Sequence, residues 1–245
     1  MAIKKQKGIL LFKTRFRTSS LIAKFLTESG ETVSVLFKGA LASTGRRDSP
    51  AANLVPFAVL EIIYYEKETR EVQTGKSVAI VEDFPQIRKD YETQVVAAKF
   101  VKTAIIPVKE GDRYPEIYDT IVALFRQWDD ITRINQDLIW AGFLLSILNF
   151  SGFAPAIHHC AVCQGQLTET GLKFSPSAGG IVCGNCPAPE DSINITPKIK
   201  DALVFLLSNP FRRYGKLNLS AKESRLVREI MEKFWNYHIG KPPHK

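Results

Sequence analysis

At Asp83-Phe84-Pro85 the sequence changes its period, and that change divides the chain. Before it, short segments alternate apolar and polar side chains between turn residues. After it, apolar residues return every three or four positions. A strand sends successive side chains to opposite faces, whereas a helix stacks positions three and four apart, so the two patterns belong to different architectures. The expectation is an α+β chain of the segregated kind, an all-β domain over 1–83 followed by an all-α domain over 84–245. With 245 residues and 45% apolar content, each part has enough apolar side chains for a core.

In the first part, Phe12-Lys13-Thr14-Arg15-Phe16-Arg17 alternates strictly, which predicts a strand with Lys13, Arg15 and Arg17 on one face and Phe12 and Phe16 on the other. Leu21 to Leu26 and Thr32 to Lys38, separated by Gly30, read as a hairpin with Val33, Val35 and Phe37 pointing inward. Two more strands are expected, Val55 to Tyr65 and Glu71 to Val81. Roughly five strands suit the partly open Greek-key barrel known as the OB-fold. Phe12, Phe16, Phe25 and Phe37 are expected in its core rather than as a stacking platform.

In the second part, helices are expected at about 91–106, 114–128 and 136–149, the last apolar nearly all round and therefore central. Thr196-Pro197 pairs an N-cap with proline at the first helical position. Ser220-Ala221-Lys222-Glu223 fits a capping box. Each should open a further helix.

The net charge of +8 is concentrated in the first 47 residues, which hold ten Lys/Arg against two acids. Residues 48–195 are acidic, with 12 bases and 19 acids, and residues 196–245 are basic again, with 11 and 4. A basic excess gathered at one end points to a polyanionic partner. Lys13, Arg15 and Arg17 on the strand, Lys38 before Gly39, and Arg46-Arg47 in a Gly/Ser/Pro-containing loop are the candidate nucleic-acid contacts.

Cys160-x2-Cys163, nineteen residues, then Cys183-x2-Cys186 holds all four cysteines of the chain. Paired two-residue spacings let each knuckle present two thiolates to one ion, which predicts a four-thiolate Zn²⁺ site in a finger at about 155–190. Filled by four sulfurs, such a shell leaves no position for a substrate, so the metal is expected to be structural. Two disulfides or a redox pair are the competing readings. His158 and His159 are expected beside the site rather than in it.

Catalytic patterns fail on inspection. No H-x-E element accompanies the cysteines, as a zinc deaminase requires. Gly75-Lys76-Ser77 imitates the end of a phosphate-binding loop but lacks its first glycine, at Arg70, and lies in a predicted strand. The acid pairs Glu82-Asp83 and Asp129-Asp130 read as solvated surface. The chain has no apolar run of 18 or more residues and its start is too short for a secretory signal, so a soluble, cytoplasmic protein is expected.

Several segments, in their order, resemble the RecO recombination mediators of bacteria. Arg17-Thr18-Ser19-Ser20-Leu21 through Phe25-Leu26-Thr27 and Gly30, then Lys38-Gly39-Ala40 and Leu54-Val55-Pro56-Phe57, are similar to that family's barrel. Gly152-Phe153-Ala154-Pro155 with Cys160, Cys163, Phe174, Gly179-Gly180, Cys183 and Cys186 is similar to its zinc-bearing part. Two departures stand out: Arg17 or Thr18 occupies the usual acidic position, and the arginines after Lys-Gly-Ala are displaced to Arg46-Arg47. The resemblance implies an N-terminal OB-fold, a helical domain with a zinc finger, and binding of single- and double-stranded DNA, and the lack of a catalytic constellation adds the expectation that the chain is not an enzyme. It also implies strand annealing, docking on the tail of the single-stranded DNA-binding protein, and partnership with RecR in loading RecA, at the nucleoid. Arg126 and Arg133 are candidate anchors for that acidic tail. The residues also admit a zinc-containing adaptor whose basic end meets acidic proteins, or, more remotely, a metal-dependent nuclease.

Overall fold

The computed structural model describes residues 2–42, 49–67, 69–109, 111–167 and 169–240. The chain forms two compact units, Met1–Arg126 and Gln127–Lys245.

The first unit contains a closed five-stranded barrel of β1 (Ala2–Phe16), β2 (Ser20–Thr27), β3 (Thr32–Phe37), β4 (Ala58–Glu66) and β5 (Val72–Asp83), in the order β1-β2-β3-β5-β4. β3 runs parallel to β5 and the other neighbours are antiparallel, which is the connectivity of the expected OB barrel. The length of β1 closes the ring. Its first half, Ala2 to Ile9, pairs with β4, and Gly8 to Phe16 pairs with β2.

Leu10, Leu21, Phe25, Val35, Phe37, Leu60, Ile62 and Tyr64 fill the barrel, with Val33 packed against them. Phe25 and Phe37 meet edge to face at 6.4 Å. The inward reading of Val33, Val35 and Phe37 is therefore correct. The segment Gly75-Lys76-Ser77 lies inside β5 and opens no helix, so it has no phosphate-loop geometry.

The barrel strands end at Asp83, but the compact unit runs on to Arg126 and includes α2 (Tyr91–Ala104) and α3 (Pro115–Arg126). Phe125 of α3 packs against Phe57 and Phe84 at 5.8 and 5.6 Å. The approach of the chain before α3 to the β2–β3 turn depends on Gly30. Its φ is +78°, and a Cβ there would overlap the Tyr114 and Pro115 backbone. Gly30→Ala should therefore lower stability by roughly 2–4 kcal/mol, combining left-handed strain with overpacking. A denaturation midpoint unchanged from wild type would refute that account.

The second unit opens with the short α4 (Trp128–Ile131) and is built on α5 (Gln136–Phe150), which buries Leu138, Ile139, Trp140, Phe143, Leu144, Leu145, Ile147 and Leu148. α6 (Pro197–Ser208) and α7 (Ala221–His238) pack on it. Both expected start signals operate. Thr196 Oγ1 accepts from Ile199 N at 3.3 Å, and Ser220 and Glu223 form a reciprocal capping box. Gly142 sits under the ring of Tyr214, whose hydroxyl donates to Leu206 O at 2.7 Å. All three tryptophans of the chain, Trp128, Trp140 and Trp235, are buried in this unit.

Between α5 and α6 lies a small sheet of β6 (Lys173–Ser175), β7 (Gly180–Val182) and β8 (Ile193–Asn194), in the order β7-β6-β8. Phe174 packs on Phe234 of α7 at 5.6 Å. Asp191 accepts from Ser175 Oγ, Ser177 Oγ and Ser177 N at 2.6, 2.9 and 2.8 Å, tying the β6–β7 turn to the segment before β8. Burial works against that carboxylate, yet these donors hold its pKa below the usual range. Among the described residues, no helix is long and apolar enough to cross a membrane.

Candidate nucleic-acid interface and metal centre

β1 does not keep one period. Leu10 pairs with Phe25 and Phe12 with Lys24, so Leu11 is an extra residue, a β-bulge, and side-chain parity reverses across it. Before the bulge the even-numbered residues Gln6 and Leu10 face inward, as do their partners Ile62 and Phe25. After it the odd-numbered ones do: Lys13 opposes Ala23 and Arg15 opposes Leu21, both core residues. Lys13 Nζ donates to Leu54 O at 2.8 Å, at the barrel mouth that α1 (Pro50–Asn53) precedes.

This geometry corrects two expectations. Phe12 and Phe16 are not core. They lie on the outward face, 53% and 37% exposed, while Phe25 and Phe37 are buried as expected. Arg17 does not continue the stripe of Lys13 and Arg15. It leaves the strand at the turn with φ 55°, and its guanidinium lies over the Phe16 ring, 5.3 Å from the centroid.

The cations nevertheless gather at one end of the barrel. Arg17 begins the turn between β1 and β2, and Lys38 follows β3, whose last residue pairs with Leu21. Gly39 N reaches Ser20 Oγ at 3.4 Å, and Leu41 N donates to Ser19 O at 2.8 Å. Arg46 and Arg47 lie outside the described residues. Lys13, Arg15, Arg17 and Lys38 are all exposed, and none has a carboxylate partner among the described residues.

The far half of β1 differs. Lys4 contacts Glu31 at 3.1 Å and Glu66 at 2.9 Å, Lys5 contacts Glu61 at 2.9 Å, and Arg113 reaches Glu31 at 3.4 Å. Partial burial opposes the charge on Lys4, but the hydrogen bonds to Glu66 and Glu31 outweigh it and raise its pKa. The same contacts lower that of Glu31 against its own burial. Lys4 and Lys5 in the first half of β1 are thus paired with carboxylates, Lys7 is exposed with no ion pair among the described residues, and Lys13, Arg15, Arg17 and Lys38 are left unpaired around the other end. Lys4, with two carboxylate partners, is tied into the barrel, and Lys5 is engaged by one. Arg126, expected as an anchor for an acidic tail, is already held by Glu82 at 2.7 and 2.9 Å.

The second constellation is the cysteine cluster. The four Sγ atoms of Cys160, Cys163, Cys183 and Cys186 lie within 4.8 Å of one another, with Cys163 and Cys183 at 3.9 Å. Two thiolates on a tetrahedral ion with 2.3 Å bonds stand about 3.8 Å apart, so the donor set and its spacing fit a metal ion. All four are free thiols, not disulfides.

Local structure explains the convergence. Cys160 N donates to Gly165 O and Gln164 N to Cys160 O, each at 2.9 Å, closing the first knuckle. Gln164 takes the left-handed conformation there, φ 60°, while Gly165 leaves room beside Cys163 Sγ. The second knuckle leaves β7 at Cys183, where Cys186 N donates to Cys183 O at 3.2 Å. Gly180 presses against the Ala156 backbone, which brings β7 beside the first knuckle.

Cys183 N donates to Cys160 Sγ at 3.3 Å. Burial disfavours the Cys160 thiolate, but backbone N–H groups of Cys163, Cys183 and Val162 bring its pKa down to about 6. Cys186 is pushed up to about 12, chiefly because it shares hydrogen bonds with Cys163 and Cys183. His158 and His159 are exposed and lie outside the cluster.

Comparison with known proteins covers both constellations. A family model described as "Recombination protein O N terminal" matches residues 1–84, and one described as "Recombination protein O C terminal" matches residues 88–245. Among similar proteins, a "DNA repair protein RecO" of Desulfatibacillum aliphaticivorans is 25% identical over 245 residues, covering 96% of this chain and 92% of that one. One of the same name from Anaeromyxobacter dehalogenans (strain 2CP-C) is 26% identical, covering 97% and 92%. Another, from Exiguobacterium sibiricum, is 25% identical with the same coverage.

Proposed function

Because this chain belongs to the recombination protein O family, and so to DNA repair and recombination, we propose that it binds single-stranded DNA through the uncompensated end of its barrel and anneals complementary strands. The observation that carries this reading is the split along β1. Lys4 and Lys5 are paired with carboxylates, whereas Arg15, Arg17 and Lys38 are left to solvent around the turns at the other end of the strand. Unpaired cations held on a rigid strand and its turns neutralise phosphates and release counterions. Two strands whose charges are neutralised on one surface repel less, so complementary bases can meet. No hydrolytic group is required, and the protein is not an enzyme in this reading.

The metal is Zn²⁺, held by Cys160, Cys163, Cys183 and Cys186. Bound there it supplies only a cross-link, since four sulfurs complete its shell. The cysteines, preorganised by backbone donors, fix β7 and the two knuckles.

The partners proposed with this function are double-stranded DNA, the tail of the single-stranded DNA-binding protein, RecR and, through them, RecA, at the nucleoid in the cytoplasm. Family membership supports them.

The test is annealing of two complementary oligonucleotides without ATP, followed by strand-specific fluorescence. Acceleration over the protein-free rate, falling steeply between 50 and 200 mM salt, is the expected result. No acceleration, or an effect indifferent to salt, would remove the reading and leave the adaptor alternative, in which the basic end meets acidic proteins. Oligonucleotide cleavage on adding Mg²⁺ would instead favour the nuclease.

A further inference from the structure

The bulge at Leu11 has placed two phenylalanine rings where a barrel of this kind would ordinarily present polar side chains. Phe12 and Phe16 point outward from β1, four residues apart on one face, hence about 13 Å along the strand. Between them the outward face carries Thr14 and its cross-strand partner Ile22, which in turn pairs with Leu36. Lys24 is the direct partner of Phe12, and Arg17 covers Phe16. No acidic residue occurs in this set, and neither Lys24 nor Arg17 has a carboxylate partner among the described residues.

We infer that Phe12 and Phe16 form a base-stacking strip for single-stranded nucleic acid on the outer face of the β1–β2 hairpin, with Lys24 and Arg17 taking the adjoining phosphates. The inference rests on the proposed DNA binding and adds the feature that selects unpaired bases. Aromatic faces interleaved with cations suit a strand that offers π-faces and phosphates in alternation, whereas duplex DNA buries its base faces and offers only phosphates. The strip also explains why an aromatic ring at each position is tolerated in water. Arg17, exposed and held among the described residues by the ring beneath it, moves to the phosphate when a base takes its place.

Three probes of equal length separate the parts: oligo-dT, an abasic oligonucleotide of the same phosphate count, and duplex. Phe12→Ala and Phe16→Ala are exposed substitutions that leave the barrel core intact. Each should weaken oligo-dT binding by roughly 5- to 150-fold, the loss of one stacked base, while duplex and abasic affinity and the salt slope stay as in wild type. Phe16→Trp should restore binding, since a larger ring stacks at least as well. Wild-type affinity for oligo-dT in both alanine variants would overturn the strip while sparing the basic end, as would an equal loss on all three probes. Unchanged DNA binding with a loss of self-association in sedimentation would overturn it in favour of contact between copies of this chain. A wild-type protein that binds none of the probes would overturn both the strip and the function beneath it.

Discussion

On the zinc proposal, replacing Cys160 or Cys183 by serine should abolish metal binding and unfold the segment of about 155–190, the largest loss of stability expected from any single substitution in this chain. Both thiols are buried, and Cys160 also accepts the Cys183 backbone N–H, so each knuckle loses its inner ligand and its geometry together. Structural zinc contributes on the order of 10 kcal/mol to the folding of small domains, and most of that is forfeited when one of four thiolates is gone. The sheet β7-β6-β8 has strands of only two or three residues, so apart from the Asp191 hydrogen bonds and the Phe174 contact it depends on the proposed cross-link. Elemental analysis should show one zinc per chain in the wild type and none in the variants, with new protease cleavage inside the segment. His158→Ala and His159→Ala should keep the metal. Full occupancy in Cys160→Ser, or loss of zinc in either histidine variant, would mean that the ligand set is wrong.

Charge reversal at Arg15, Arg17 and Lys38 together should weaken single-stranded DNA binding by about a hundredfold or more at moderate salt. These three are exposed and have no carboxylate partner among the described residues, so their reversal removes phosphate contacts without removing a fold contact. Lys13 differs from these three. Its ammonium is held by Leu54 O, so Lys13→Ala mixes lost binding with a loosened barrel mouth. The salt slope on single-stranded DNA should become shallower by about 2, which is 0.7 for each of three contacts. Reversal at Lys4 and Lys5 is the counter-experiment. It should unsettle the barrel through Glu31, Glu61 and Glu66 and leave the salt slope alone. Equal slopes in wild type and the triple variant would locate the DNA elsewhere.

How much of this was legible in the residues depends on the range over which each feature is encoded. Caps are written within four residues, and Thr196-Pro197 and the Ser220–Glu223 box behave as their composition predicts. The paired cysteines are similarly explicit, because two-residue knuckles have few other uses. The outward phenylalanines escape a local reading because strict alternation in 12–17 says which residues share a face but not which face is inside. That choice was made by one extra residue at Leu11. A trace of it exists, since Ile9-Leu10-Leu11-Phe12 is an apolar run that no single period explains. The neutralisation of Lys4 and Lys5 left no local trace at all. Their partners Glu31, Glu61 and Glu66 lie in β4 or before β3, and only closure of the barrel brings them together.

The distribution of indoles has an optical consequence. With every tryptophan in Gln127–Lys245, tryptophan emission from this protein, excited at the red edge where tyrosine does not absorb, is a spectroscope trained on the second unit, and the barrel is dark to it. A titrant that changes that emission is either touching the helical unit or altering it from afar. Phe16→Trp would light the other half with an exposed indole, whose emission lies to the red of the three buried ones.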